Sequence, residues 1–444
     1  MQHKSSSSHD TSVSFGDAIE SLLPKRFVGS LFNLCGPLKR RPPRLKPWQL
    51  LHSLVFHFLQ PVGTLAQHVK QYTGRKISDS ALSQRRAAIP WQLFECLVES
   101  CLKLKARARS HPQAFYKGLR LVGVDGTCFS VTNTPQNCAG FSKAASRRMK
   151  AAFAKVRACV MVELGLRNPI AAAIGPNEES EMALSRRLIE HLPEKSLSIW
   201  DRLYGVGAFI GEILAVHSGG KREFLMRVKA NLKARLLKKL PDGSALVSIK
   251  AGGKDVIVRE IRGRVRRPGG KWSQVRLWTS LPDAGKYPAG EMLELYGRRW
   301  ESEIYYKELK IDMRGGDVLR SHTPLTAAQE IAAWILAHAV LVDTRIKAAG
   351  EAGEAVLRIS FAQTLYWTRG FWQFLEVGAG ILEPDQIERI ARQVIKQIAA
   401  AITPKRRARS SPRALRKPVA SWPRLLENSY TLGPTEYELD AVDL

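Results

Sequence analysis

From about residue 118 the chain changes its period. Apolar runs of strand length, LRLVGVDG, ACVMVELGL, LSIWD and REFLMRVK, alternate with the helical stretches SEMALSRRLIEHL and GVGAFIGEILAVH. Apolar strands interleaved with helices must be covered by those helices, so the pattern requires an α/β layer with a buried sheet. Upstream, residues 14 to about 112 read as helical, interrupted by the Pro- and Arg-rich PLKRRPPRLKPW. Between about 230 and 281 the runs SALVSIKAGG, KDVIVREIRGRV and SQVRLWTSL, separated by Gly and Pro turns, read as a small β-rich insertion carried by the α/β domain. Helices then return, and Thr326 with Gln329 forms the pattern of a capping box ahead of an apolar helix from about 327 to 348. These shifts divide the chain into a disordered start (1–13), a helical N-terminal domain (14–112), an α/β domain (118–349) and a helical C-terminal region (350–444). The last of these contains the Pro-broken basic stretch PKRRARSSPRALRKP and ends in the acidic EYELDAVDL, which is expected to be loose.

Composition narrows the partner. Lys and Arg number 69 against 40 acidic residues, a net charge of +29 spread along 444 residues. Such a field favours a polyanion, and nucleic acid fits better than a membrane surface because the basic segments lack the paired apolar face of an interfacial helix. The longest apolar run, Ile331 to Val342, is too short to span a bilayer and ends at Asp343. The polar start MQHKSSSSHD has no apolar core of the kind a signal peptide needs, and Cys35, Cys96, Cys101, Cys128, Cys138 and Cys159 form no zinc-ligand spacing. A cytosolic protein with reduced thiols is the expectation. Within the N-terminal domain, TLAQHVKQYTGRKISDSALSQRRA holds two helices around a Gly-containing break, the second capped by Ser78. It reads equally as a helix-turn-helix offering Arg75, Lys76, Gln84, Arg85 and Arg86 to DNA, or as an ordinary hairpin with a solvated basic face.

The chemistry concentrates in ELYGRRWESEIYYKELK, where Tyr296, Arg299, Glu303 and Lys310 follow Y-x2-R-x3-E-x6-K. At about 100° per residue their directions fall within roughly 60° of one another, while Glu301 and Glu308 point away. A carboxylate among cations and an aromatic suits phosphodiester work: the acid can hold a metal while Arg and Lys hold phosphates. Asp125 and Asp201 end the runs LVGVD and LSIWD, and side chains at carboxyl ends of strands project into the functional crevice of an α/β sheet. Two Asp and a Glu offer hard oxygen ligands for a pair of Mg²⁺ ions. Singly, each acid has a plainer reading: Asp125-Gly126 as a turn, Asp201 as a helix cap, Glu303 as one rung of a surface ion-pair ladder.

Taken together, the order Asp125, Asp201, Glu303 with a β-rich stretch before the last resembles the DDE transposases of bacterial insertion sequences, specifically the insertion-sequence 4 family. The Y-x2-R-x3-E-x6-K signature matches at all four positions, the D-R-x-Y/F pattern occurs as Asp201-Arg202-Leu203-Tyr204, and the first Asp lies in VDGT; the resemblance covers roughly residues 25 to 420. It implies an α/β fold with an RNase H-like catalytic core, interrupted by the β-rich insertion and flanked by helical regions. It further implies two Mg²⁺ ions on Asp125, Asp201 and Glu303, with Mn²⁺ able to substitute. The implied reaction is cut-and-paste transposition: cleavage at terminal inverted repeats of double-stranded DNA, in some members through a hairpin, then strand transfer into target DNA by a homodimer. By carry-over, Tyr296, Arg299 and Lys310 hold phosphates and Trp300 stacks on a displaced base, unless Trp300 belongs to the core. Arg202 and Tyr204 support the metal site or touch DNA, with core packing the plain reading of Tyr204. Arg147, Arg148 and Lys150 and the tail from Lys405 to Lys417 are candidates for following the DNA backbone. His338, on the apolar helix, reads as a core residue rather than a ligand. Two other readings use the same residues: a DNA-binding regulator that has lost catalysis, and an RNase H-like nuclease that cuts without joining.

Overall fold

A mixed twelve-stranded sheet runs through the protein. The computed structural model describes residues 15–35, 45–60, 62–143, 152–176, 178–217, 221–266, 271–313, 318–378, 381–404, 409–410, 414–415, 424–425, 431–432 and 435–440. The sheet begins with β1 (Leu119–Val131), β2 (Lys155–Glu163) and β3 (Asn168–Pro176), an antiparallel meander with β1 at its inner edge. On the other side of β1, β4 (Ser196–Trp200) and then β5 (Arg222–Arg227) are added parallel to it, each reached through a helix, Glu181–Ile189 and Gly207–His217. The resulting order β3-β2-β1-β4-β5, three antiparallel strands followed by two parallel ones, is the RNase H-like arrangement.

The segment read as an insertion supplies β6 (Arg235–Lys239), β7 (Ala245–Ala251), β8 (Lys254–Arg266) and β9 (Ser273–Thr279). It is no separate lobe: β9 pairs with β5 over Leu225–Arg227, so the core sheet continues into it without a break. The acidic end of the chain also differs from expectation. Glu436–Leu439 forms strand β10, antiparallel to β8 at Gly263–Arg266. Its acids face a row of arginines, a pairing that composition alone does not reveal.

Alternation along β1 decides which helices cover which face. Leu121 packs with the N-terminal helices and the helix Pro324–Ala352, whereas Val122 and Val124 pack on the other face with Leu184, Leu188, Phe209 and Ile213. The helices from Phe15 to Cys101 thus share one hydrophobic cluster with the sheet, Leu54 and Phe56 joining Phe129 and Trp334. Pro324–Ala352 is long and apolar enough to span a membrane by composition, but 89% of its apolar window is buried inside the protein, as in a core helix. It begins one turn earlier than its sequence suggests. Thr323 is the N-cap and exchanges hydrogen bonds with Thr326, because Pro324 is pre-shaped for the first helical position. Gln329 instead donates to the carbonyls of Arg86 and Ile89.

The helices Leu65–Thr73 and Asp79–Ala87 form as expected, with Gly74 left-handed between them and Ser78 capping the second. Their basic residues divide. Arg75, Lys76 and Gln84 are exposed, but Arg85 donates to the Leu45 carbonyl and Arg86 is turned inward onto Ser321 and the Thr326 carbonyl. Arg85 and Arg86 therefore brace the helical region. Cys101, Cys138 and Cys159 are free thiols. Arg147, Arg148, Lys150 and most of the Lys405–Lys417 segment lie outside the described residues.

Candidate active site

Pairing between β1 and β4 ends at Gly123 opposite Ile199. Continued by two residues, that register sets Asp125 beside Asp201, both on the face whose side chains point toward the signature helix. Asp201 leaves the sheet there and enters a 3-10 turn, Arg202–Tyr204, without spending its carboxylate on a cap. Asp125 does not end its strand. β1 continues six residues further against β2, so Asp125-Gly126 is extended backbone and not a turn. Glycine is needed at 126 for another reason: a Cβ there would collide with the side chain of Glu181, which crosses the strand from the start of helix Glu181–Ile189.

Gly123 has the matching role on the opposite face, where a Cβ would strike Ser302 Oγ. Its absence lets the helix carrying Glu303 lie directly on the strand carrying Asp125. That helix is not uniform. Ala289–Tyr296 is followed by a 3-10 turn at Gly297–Arg299, an α segment at Trp300–Lys307 and a π turn at Glu308–Met313. The tightened turn and the widened turn displace the four signature residues from a simple stripe. Glu308 begins the π turn, and its buried carboxylate is taken by Arg167 at 2.6 Å, His338 at 3.0 Å and Arg345 at 3.5 Å. His338 is thereby a core residue, fully buried, bonded to Glu308 and stacked on Phe361.

The structure brings the three acids around one cation. The Arg299 guanidinium lies 2.6 Å from Glu303 Oε1, 3.8 Å from Asp125 Oδ2 and 3.8 Å from Asp201 Oδ1. The Tyr296 hydroxyl donates to Asp201 Oδ1 at 3.4 Å. Glu301 faces the other way, holding Arg298 and the Gly165 amide. Lys310 reaches β1 rather than open solvent: its ammonium donates to Thr127 Oγ1 and, at 2.8 Å, to the Cys128 carbonyl, above the Phe129 ring. Trp300 is 39% exposed, which removes it from the core, and the Arg299 guanidinium lies over its ring. Arg202 is exposed beside Asp201, whereas Tyr204 is fully buried among Trp200 and Phe209.

Electrostatics suit a cation. Burial pushes the Asp125 carboxyl up to about 7; the Gly126 amide and Arg299 oppose this, while Glu181 and Glu303 reinforce it. Burial also raises the Tyr296 phenol, with the Asp201 charge adding to the effect, so the phenol stays a donor. Burial works against the charge on Arg299, but Tyr296, Asp201 and Glu303 outweigh it and hold the guanidinium firmly protonated. Among the described residues no three His, Cys, Asp or Glu side chains stand close enough to share an ion as they are placed. The donor set nonetheless fits divalent metal: three hard carboxylates surround Arg299, and burial raises one of them, Asp125.

Two neighbours escaped the sequence reading. Glu181 presses on Gly126 and accepts from Tyr204 at 2.8 Å, yet in SEMALSRRL it reads only as an acid in the first turn of a helix. Arg227, at the end of β5, lies near enough to Tyr296 to act on its phenol, and no motif marks it.

Similarity to known proteins bears on its identity. The model of the family described as Transposase DDE domain matches residues 116–340. The chain is 27% identical to "Transposase InsG for insertion sequence element IS4" of Escherichia coli (strain K12) over 432 residues, 95% of this chain and 96% of that one. Among solved structures it is similar to a piggyBac transposase in a synaptic complex with hairpin DNA, with TM-score 0.42, 11% identity and coverage of 87% of this chain and 85% of that one. The family match takes in just over half of the 444 residues, with both aspartates and the glutamate inside it, and so the chain belongs to the DDE transposase family, metal-dependent enzymes that cleave DNA and transfer the cut strand.

Proposed function

We propose that this transposase mobilises an insertion sequence of the insertion-sequence 4 type by cut-and-paste, cleaving at terminal inverted repeats and joining the freed ends to target DNA as a homodimer beside the nucleoid. The observation that carries the site assignment is the convergence of Asp125, Asp201 and Glu303 on Arg299. Asp125 and Asp201 offer fixed ligands from adjacent strands, and Glu303 completes the set by releasing Arg299. Two Mg²⁺ ions, or Mn²⁺ in their place, would supply Lewis acidity to the scissile phosphate and acidity to the attacking hydroxyl. Arg299, freed of Glu303, turns its planar fork to a phosphate. Tyr296 and Lys310 hold neighbouring phosphates, Trp300 stacks on a displaced base, and Arg202 follows the strand past Asp201. The helices of residues 14–112 form the DNA-binding part of the same body, and residues 350–444 close it.

Purified protein with Mg²⁺, a donor plasmid carrying the element ends and a target plasmid tests this reading. Joined products that vanish in Asp125→Asn support it. Cleavage without joining favours a nuclease, and binding with neither favours a regulator. Lys310→Ala is expected to weaken end binding about tenfold and to slow cleavage, as befits one charge-assisted phosphate contact; unchanged binding and rate would remove Lys310 from the site.

Asp125 also gives the site a pH signature. Its folded pKa is raised, so between 3.8 and about 7 the folded protein keeps a proton that the unfolded chain has lost, and stability falls as pH rises through that window. A divalent ion must displace this proton. The gain in Tm on adding Mg²⁺ should therefore be larger at about pH 8 than at about pH 5.5. A gain that is equal at both values would contradict Asp125 as a ligand.

A further inference from the structure

Of the residues that line a basic groove on the inserted strands, only Arg202 has a part in the mechanism above. The groove encloses about 540 Å³ and is lined by Arg202, Arg227, Arg262, Arg264, Arg276 and Asp440, among others. Arg202 follows Asp201 directly in the chain and Arg227 acts on Tyr296, so the groove opens beside the candidate catalytic acids. Arg262 and Arg276 share one fully buried carboxylate, Glu260, at 2.7 and 2.6 Å. The arrangement fixes both guanidiniums.

The end of the chain closes one wall. Along β10 the side chains alternate: Glu436 and Glu438 face arginines, Tyr437 faces the core. Glu436 pairs with Arg266, Glu438 holds Arg264 at 2.7 Å, and Asp440, just beyond the strand, meets Arg264 at 3.1 Å. Tyr437 touches the signature helix, its hydroxyl 3.2 Å from where a Cβ at Gly297 would sit. The strand is four residues long and its ion pairs are partly exposed, and pairs of that kind hold weakly. Acids spaced along an extended backbone present arginines with much the same partner as successive phosphates do.

We propose that this groove is a second binding site for a DNA sugar-phosphate backbone, and that the acidic C-terminal strand masks it by standing in for phosphates until a duplex displaces the strand. The proposal rests on the reading of the protein as an enzyme acting on DNA, and its test is separable from that reading. Anisotropy of a labelled random-sequence duplex, titrated with full-length protein at several salt concentrations, gives affinity and salt slope. The variant Glu436→Gln/Glu438→Gln/Asp440→Asn should bind about tenfold more tightly, with a log–log salt slope steeper by about one. A control, Glu351→Gln/Asp385→Asn/Glu388→Gln, removes the same charge from helix surfaces elsewhere and should change affinity by less than about twofold. Arg264→Gln should matter little in the wild type, where its charge is already answered, and should abolish most of the gain in the tail variant. Equal tightening by both triple variants, no tightening by the tail variant, or a gain indifferent to Arg264→Gln would each overturn the proposal. Metal-dependent end cleavage is scored separately. Its absence alongside a tail-specific gain would sink the transposition reading and leave the groove standing.

Discussion

Glu303→Gln should reduce cleavage at the element ends by about a thousandfold or more while leaving duplex binding within about twofold of wild type. The substitution is nearly isosteric and removes no positive charge, so the basic surface that attracts DNA is untouched. What it removes is a carboxylate charge on a helix seated against β1 through Gly123 and Ser302, two residues from Asp125. It also frees Arg299 from its shortest ion pair, so a small gain in DNA affinity is compatible with the account and a large loss is not. Glu301→Gln is the matched control. Glu301 lies on the far side of the helix, and a glutamine there can still accept from the Gly165 amide. It should keep most of the activity, and equal losses from both variants would show that charge on the helix, not its position, is what matters.

The second large effect concerns stability. Glu308→Ala should lower stability by about 3–5 kcal/mol, the range for removing one partner of a buried ion pair, and lower Tm by roughly 3–6 °C. Glu308 is 2% exposed and answers Arg167 and Arg345 while accepting from His338. Without it, two buried guanidiniums lose their counter-charge at the point where the signature helix widens into its π turn. Burial alone would raise the Glu308 carboxyl, but Arg167, His338 and Arg345 reverse this and hold it down to about 2. Its contribution is therefore complete above the ordinary carboxylate range and lost as pH falls toward 2. A thermal melt by circular dichroism reads the result, and a Tm within a degree or so of wild type would mean the cluster is no anchor. Because Lys310 follows two residues later, residual activity in this variant should fall with Tm rather than remain normal.

The sequence made the architecture legible where periodicity and spacing carry it. The four apolar runs became β1, β2, β4 and β5, the segment from 230 to 281 became strands, and the Y-x2-R-x3-E-x6-K spacing picked out Glu303 over Glu301 and Glu308. What escaped was set by tertiary contact. Asp125-Gly126 carries the composition of a turn, yet β2 pairs with both residues and the glycine is dictated by Glu181 crossing above it. A uniform 100° rotation does not hold through Tyr296–Lys310, because the π turn at Glu308–Met313 and the 3-10 turn at Gly297–Arg299 reshape the helix. Arg85 and Arg86 look free in sequence and are consumed by carbonyls from distant segments. The acidic terminus looked loose because its partners, Arg264 and Arg266, lie some 170 residues away.

The most direct measurement is the position of metal in a crystal of the protein bound to an element end and grown with Mn²⁺, read by anomalous diffraction. The account predicts two peaks about 3.5–4 Å apart, ligated by Asp125, Asp201 and Glu303, with Arg299 turned away from Glu303. Metal bound elsewhere, or an Arg299 still paired to Glu303 beside an occupied site, would contradict it.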